Sequence, residues 1–589
     1  MHRYRLGIIG NCSYMAYIDD QAAVRWLCMP RFDSSFLFGS LLDEQKGGHF
    51  YIRPLGQFKT RQYYLTNTNI LCTEFEHEEG SFRVTDFAPR FYQYDRYFRP
   101  LMLVRKLEPL RGQGRIQVRC LPVGDYGRIR PEVVLGSNHI RYLNLGGHVR
   151  VTTDIPLNYV VDGKPFVLNG VRYLVLTYGP PLEAPLAATA EDFLDKTRRY
   201  WQQWVKTISV APIFQEEAIR SALALKLHQF EDTGAIIAAG TTSLPECPGS
   251  GRTWDYRYCW LRDTYYILTA FNNVGHFEEL ERYFQFVQNL LAGDEPEIRP
   301  VYTVTGDPVL EEWTLPLDGY MGNRPVRIGN AATSQRQFDV YGQVLISLLP
   351  LYVDKRLCDY DMRSIAGMVN KMLDRIELHM DEPDSGIWEF RSTHQRHCYM
   401  YLFHWVGAMA AQKLGQLLGD TDMTQRAAYL AQQSAARIEG CYDHDRRVYT
   451  QAIGSDQLDA STLQLISLNY LECGSEKARL HLEGLERQLK ANDGLFFRYV
   501  HEDDFGKPKA GFLPASFWHA EALACVGRLD EAMDVVAQLL SYANHLGLFS
   551  EVVMPDGSQW GNFPQAYSHV GLLNAVYRIA RRIDRPIFL

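Results

Sequence analysis

The chain lacks the marks of several common functions. Its eleven cysteines are scattered, odd in number and never spaced C-x-x-C. That argues against a zinc ribbon or a disulfide framework and fits a reducing compartment. No Lys/Arg-rich tract occurs and the net charge is −8, so nucleic acid is not an expected partner. The longest mostly apolar stretch, Val344 to Val353, is about half a membrane span. Near the start, the apolar patch Leu6 to Ile9 is broken by Asn11 and Cys12, too short for a signal-peptide core. A cytoplasmic protein with no membrane contact is expected. H-E-x-x-H, G-x-x-x-x-G-K-[ST] and a post-strand G-x-G-x-x-G are all missing, so neither metal nor cofactor is expected. Ser461, Ser516 and Ser568 have no nucleophile-elbow context.

Aromatic rings, by contrast, are plentiful, at 13% of 589 residues. Most such rings belong in cores, but their faces also stack on the CH faces of sugars. The length exceeds one ordinary core and predicts two or three domains. The chain changes character near residue 190. Before it, short β-rich runs are punctuated by Gly, Asn and Asp: 61–65, 70–76, 82–87, 101–107, 115–121, 139–143, 149–153 and 173–178. They predict an antiparallel sandwich over residues 1–190. Residues 191–210, with Tyr200, Trp201 and Trp204, read as a linking helix.

From residue 211 to 589, helical periodicity takes over. Twelve segments carry it: 213–231, 261–274, 277–293, 333–353, 361–380, 399–418, 423–438, 459–472, 474–490, 515–527, 529–544 and 566–584. Twelve helices make six hairpins, enough to close a toroid, although periodicity does not prove closure.

Two glutamates stand in unusual company. Glu389 follows Ile387-Trp388, and Glu551 sits between Phe549-Ser550 and Val552-Val553. Two carboxylates flanking one bond are the minimal machinery for hydrolysing a glycoside. Taken alone, Glu389 reads as a helix-capping residue beside a turn and Glu551 as an edge-strand carboxylate. The densest aromatic stretch runs from Arg252 through Trp254, Tyr256, Tyr258 and Trp260 to Arg262-Asp263. An adjacent Arg and Asp can offer a bidentate donor and an acceptor to vicinal hydroxyls, or can simply cap a helix. His569 is either a switchable base or a structural histidine.

At these residues the chain resembles glycoside hydrolase family 15, the glucoamylase family, in its prokaryotic branch. The resemblance rests on several blocks in order: Trp26 to Ser34, Thr242 to Glu246 with Trp254 to Tyr258, Pro325 to Ala332, Gln337 to Gly342, Gly386 to Glu389 and Gly561 to Ala566. It implies an N-terminal β-sandwich, a helical linker and an (α/α)6 barrel. It implies an inverting exo-acting α-glucosidase on α-1,4-glucan or maltooligosaccharides, with Glu389 as general acid and Glu551 as general base. Arg262 and Asp263 would hold the terminal glucose, Trp260 and Trp388 would wall it, and Trp254, Tyr256, Arg391 and Tyr567 complete the expected substrate contacts. Substrate is the only partner implied.

The chain departs from the family pattern at Phe390, Val552, Gln343, Arg25, Met400-Tyr401 and Lys509. Those departures leave the leaving-group side of the pocket open. Alternatives are therefore a trehalase, an isomaltose or dextran glucosidase, a disaccharide phosphorylase, and a non-catalytic glucan-binding protein on the same fold. Glu551 speaks against the phosphorylase, which needs no water-activating base.

Overall fold

The computed structural model describes residues 1–292, 298–308, 311–357 and 362–583. Its first part is built from antiparallel strands. An eight-stranded sheet runs in the order Glu132–Leu135, His139–Leu143, Val149–Thr153, Arg172–Tyr178, Met102–Gly112, Gly80–Phe87, Leu71–His77, Phe58–Tyr64. Two smaller sheets pack on it. One holds Leu6–Gly10, Met15–Asp19, Val24–Cys28 and Phe36–Phe38; the other holds Phe166–Val167, Arg115–Leu121 and His49–Pro54. The alternation that marks Arg115–Leu121 is real: Ile116, Val118 and Cys120 face the core. Arg105 pairs in register with Asp86 and donates from Nε and Nη2 to its two oxygens, at 2.7 and 3.2 Å, inside that core.

All eight expected strands are present, but the first five strands, Leu6–Gly10 through His49–Pro54, were not expected. Leu6–Gly10 and Met15–Asp19 are buried at every position, so no period of two shows in their sequence. They lie between the larger sheet and the helices. Trp26 Nε1 reaches across to donate to Gly240 O at 2.8 Å.

A helix at Leu186–Lys206 leads into the second part. Among the described residues twelve α-helices follow, one for each expected segment. The expected ends at 293, 361 and 584 lie outside the described residues. Six of these helices form an inner ring: Thr264–Val274, Asp339–Val353, Cys398–Leu418, Gln464–Ser467, Leu513–Cys525 and Ala566–Ala580. Each touches the next, and the last touches the first, so the toroid closes. Leu513–Cys525 is buried at all positions, whereas the outer helix Leu529–Leu540 buries only Ala532, Val535, Val536 and Leu539. Gly342 and Gly407 let two inner helices nearly touch; a Cβ on Gly407 would stand 2.5 Å from Gly342 Cα. The expected helix 459–472 is cut short to a 3-10 turn at Ala460–Leu463 and one α-turn, ending before Asn469 at φ 58°.

A buried charge network joins the two parts. Arg90, from the strand-rich half, donates to Glu231 at 2.8 Å, and its guanidinium lies 4.9 Å from the Tyr200 ring centre. Lys226 sits 3.0 Å from Glu279, which also accepts from Trp204 Nε1 at 2.9 Å. No described helix is long and apolar enough to cross a membrane.

Candidate active site

The stretch from Thr253 to Trp260 runs extended across one mouth of the toroid. Ala239 N–H bonds to Tyr256 O, Ala238 N–H to Tyr258 O, and Cys259–Trp260 pairs with Val301–Tyr302. Extended backbone alternates its side chains. Asp255 and Arg257 point one way and form a buried ion pair at 2.7 Å, with Arg257 Nη1 also donating to Ser34 O. Tyr256 and Trp260 share the other side, their ring centres 5.4 Å apart and edge-on. Of the two Arg–Asp pairings in this stretch, Asp255–Arg257 is thus scaffold, and Arg262–Asp263 faces the pocket.

Tyr256 and Trp260 carry the two glutamates. Tyr256 OH donates to Glu551 Oε1 at 2.9 Å, and Trp260 Nε1 donates to Glu389 Oε1 at 2.7 Å. Glu389 sits on the turn after Ser385-Gly386, at φ 61°, a left-handed conformation rare for a side-chain-bearing residue. Arg262 Nη1 and Gln337 Nε2 also donate to its Oε1, at 3.0 and 3.3 Å. The indole that touches Glu389 is therefore Trp260; the neighbouring Trp388 instead donates to Asp459 Oδ2 at 2.7 Å. Glu551 is 1% exposed, just ahead of Val552–Val553, and accepts a long bond from Asn562 N–H at 3.4 Å. Burial, reinforced by the nearby Glu246 charge, holds the Glu551 carboxyl well above the ordinary carboxylate range, while Arg498 pulls it back.

All ten residues expected at the site line two adjoining pockets that share part of their walls. The inner pocket is lined by Tyr256, Trp260, Arg262, Asp263, Trp388, Tyr567 and both glutamates, with Arg498, Phe512 and Gln565. Three of its buried polar atoms have no hydrogen-bond partner of normal geometry: Arg262 Nε, Asp263 Oδ1 and Tyr567 OH. Arg262 Nε stands 3.6 Å from Asp263 Oδ1, too far to satisfy either. Burial pushes the Asp263 carboxyl up to about 6, with Arg262 opposing. A donor, an acceptor and a phenol, all unpaired at one end of a buried pocket, suit the hydroxyls of a polyol.

The outer chamber shares Tyr256, Trp388, Glu389 and Arg498 with the inner pocket and adds Trp254 and Arg391. Its wall is laced together. Trp254 Nε1 donates to Glu246 Oε1 at 3.0 Å, and Arg498 pairs with Glu246 Oε2. Arg252 pairs with Asp503. Asp504 accepts from Arg391 N–H at 2.6 Å and Ser392 N–H at 3.1 Å. Phe505 lies edge-on to Trp254 at 5.0 Å. No described cluster of His, Cys, Asp or Glu is placed to hold a metal.

The comparisons decide the family. Residues 212–530 match the model of glycosyl hydrolases family 15, and residues 2–147 match that of the trehalase-like N-terminal region. The chain belongs to glycosyl hydrolases family 15. It is a glycoside hydrolase. A trehalase of Thermoplasma volcanium is 30% identical over 99% of this chain and 93% of that protein. A trehalase of Mycolicibacterium smegmatis is 31% identical over 98% and 91%. The fold matches that of a bacterial glucoamylase solved with acarbose, with TM-score 0.71 at 14% identity, over 98% of this chain and 94% of that one.

Several pocket residues of this family 15 chain carry no mark in the sequence reading. Arg498 stands in Phe496-Phe497-Arg498-Tyr499, a charge among aromatics, the same signal that singles out Glu389. Glu246 is quoted only as part of a block. Of the departures from the family pattern, Phe390 lines the outer chamber. Gln343 lies behind the pocket, donating to Asp339 Oδ2 and Tyr399 OH, and Met400 is buried in the core. Arg25 pairs with Asp19 and Glu44. His569 is structural: it accepts from Phe549 N–H and bonds Ser221 Oγ.

Proposed function

We propose that this protein hydrolyses α,α-trehalose to two glucose molecules with inversion at the attacked carbon. The observation that carries this is the outer chamber. A glucan chain must run outward past its second sugar, and here the loop Asp503–Phe505 is tied across that side by Arg252, Arg391, Ser392 and Trp254. A chamber walled in this way favours a disaccharide over a longer chain. The curated relatives named trehalase point the same way. The α-1,4-glucan reading drops to second place, since the bacterial glucoamylase match speaks for the fold alone.

In this reading the first glucose ring sits in the inner pocket, its hydroxyls satisfying Arg262 Nε, Asp263 Oδ1 and Tyr567 OH. Glu389 is the acid. Three donors converge on its Oε1, so its proton resides on Oε2, the oxygen free to meet the glycosidic oxygen. As that C–O bond breaks, the leaving glucose takes the proton and the ring gains oxocarbenium character. Glu551 is the base. Its raised proton affinity makes it a stronger acceptor for the proton of an attacking water, once ionised. The water oxygen bonds to the anomeric carbon from the opposite face.

The test is proton NMR of fresh digests of trehalose, maltose, maltotriose, isomaltose and soluble starch. Inverting hydrolysis of trehalose releases equal α- and β-glucose before mutarotation. Two α-glucoses would rule out the water mechanism. Faster turnover of maltotriose or starch than of trehalose would restore the glucan reading.

A further inference from the structure

The strand-rich half of the chain reaches the proposed base from behind the pocket. Tyr4 is 1% exposed. Its N–H donates to Gln559 Oε1 at 3.2 Å, its carbonyl accepts from Asn544 Nδ2 at 2.9 Å, and its ring centre lies 4.8 Å from that of Phe563. Its hydroxyl donates to Gly561 O at 2.9 Å. That carbonyl and Asn562 N–H belong to one planar peptide unit, and Asn562 N–H is the backbone donor to Glu551 Oε2. The hydroxyl, the peptide and the carboxylate thus form one hydrogen-bonded chain that crosses from one half of the protein to the other. Gly561 lies close against the Glu551 side chain. Gly561 has φ +79°, and a Cβ there would meet Glu551 Oε2 at 2.6 Å.

We infer that Tyr4 is a positioning residue for hydrolysis: its hydroxyl fixes the Gly561–Asn562 peptide, and through it the orientation of the Glu551 carboxylate. The inference rests on the reading of Glu551 as base. Tyr4 lines neither chamber, so it acts through the peptide and not on substrate. A bond accepted at the carbonyl polarises the N–H at the other end of the same unit. A better N–H donor favours the ionised carboxylate. Freeing the peptide therefore has two consequences. The base loses aim, which lowers kcat, and it holds its proton more tightly, which moves the acid limb of the pH profile upward.

Tyr4→Phe keeps the ring against Phe563 and removes only the hydroxyl. Expected is a kcat on trehalose about 5–20-fold lower, with KM within about two-fold and the acid limb moved to higher pH. Tyr320→Phe is the control. Its hydroxyl bonds His2 Nε2 at 2.8 Å in the same junction but touches neither Gly561 nor Asn562, so its kcat and limb should match wild type. Gly561→Ala presses directly on Glu551 and should lose more kcat than Tyr4→Phe. The inference is overturned if Tyr4→Phe keeps the wild-type kcat and limb. It is equally overturned if Tyr4→Phe and Tyr320→Phe lose kcat alike with the limb unmoved, the signature of general loosening. Glu551→Gln separates the two layers. If it stays active, the reading of the base fails. If it is inactive while Tyr4→Phe is unchanged, only the role of Tyr4 fails.

Discussion

The inner pocket and the outer chamber share four side chains yet are built on opposite principles. The inner pocket leaves polar atoms unpaired: Arg262 Nε, Asp263 Oδ1 and Tyr567 OH. The outer chamber pairs its charges within its own wall: Arg498 with Glu246, Arg252 with Asp503, and the Arg391 N–H with Asp504. Buried unpaired groups carry a free-energy cost that a ligand of matching geometry removes. Such a pocket selects hydroxyl positions, and therefore one sugar configuration. Paired charges carry no such debt and instead hold a shape. The chamber discriminates by what fits beside Trp254 and Phe505. In the proposed reading, selectivity for the bond broken divides into chemistry at one ring and volume at the other.

Substitutions can break that division in order of severity. Removing either glutamate by Glu389→Gln or Glu551→Gln should lower kcat about 10²–10⁴-fold or more, with KM nearly unchanged, in steady-state assays on trehalose. Retention of more than a tenth of wild-type turnover in either variant would remove that residue from the mechanism. Next come the unpaired atoms. Asp263→Asn or Arg262→Lys should lower kcat/KM about 10–100-fold, because a charge-assisted bond to a hydroxyl is lost or misplaced. The loss should be similar on trehalose and on maltose, since both present the same first ring. Smaller still is the effect of the tied loop. Asp504→Ala frees the Arg391 and Ser392 N–H groups and should raise KM for trehalose about 2–10-fold, while relative activity on maltotriose rises. Equal loss on both substrates would mean that the loop sets no size limit.

The mildest prediction concerns stability. A carboxyl whose folded-state proton affinity is raised holds more protons in the native than in the unfolded chain, from its ordinary pKa near about 4.3 up to its raised value. Glu551 therefore makes the native protein lose stability as pH rises through that window. Gln at this position has no such dependence. Glu551→Gln should melt close to wild type at pH 4 and a few degrees above it at pH 8. A gap that shrinks with rising pH would contradict the buried, raised state of Glu551.

Periodicity made the helices legible, because outer helices such as Leu529–Leu540 show a stripe and inner ones such as Leu513–Cys525 are mostly apolar and buried at every position. The ring closure was beyond it, since the contact of Ala566–Ala580 with Thr264–Val274 joins the two ends of the helical part and leaves no local pattern. The same limit hid the strands at Leu6–Gly10 and Met15–Asp19: burial on both faces erases alternation. At the site, Glu389 and Glu551 were visible as charges among apolar residues, and family blocks supplied their roles. Arg498 showed the same signal and went unread. The indole that bonds Glu389 is not its chain neighbour Trp388 but Trp260, which is 129 positions away. Gln343 and Met400 differ from the family pattern but lie behind the pocket wall, so sequence divergence alone did not locate specificity.

The network of Arg90, Glu231, Lys226 and Glu279 bears on modularity. Its arginine, Arg90, comes from the strand-rich half, and Trp204 from the connecting helix closes it. If the helical ring were expressed alone, Glu231 would lose Arg90 and Glu279 would lose the indole, and Lys226 would be left to both carboxylates with one partner fewer at each in a buried junction. The toroid is therefore not a transplantable cassette. Its charge balance is completed by Arg90, from a segment that precedes it by more than a hundred residues.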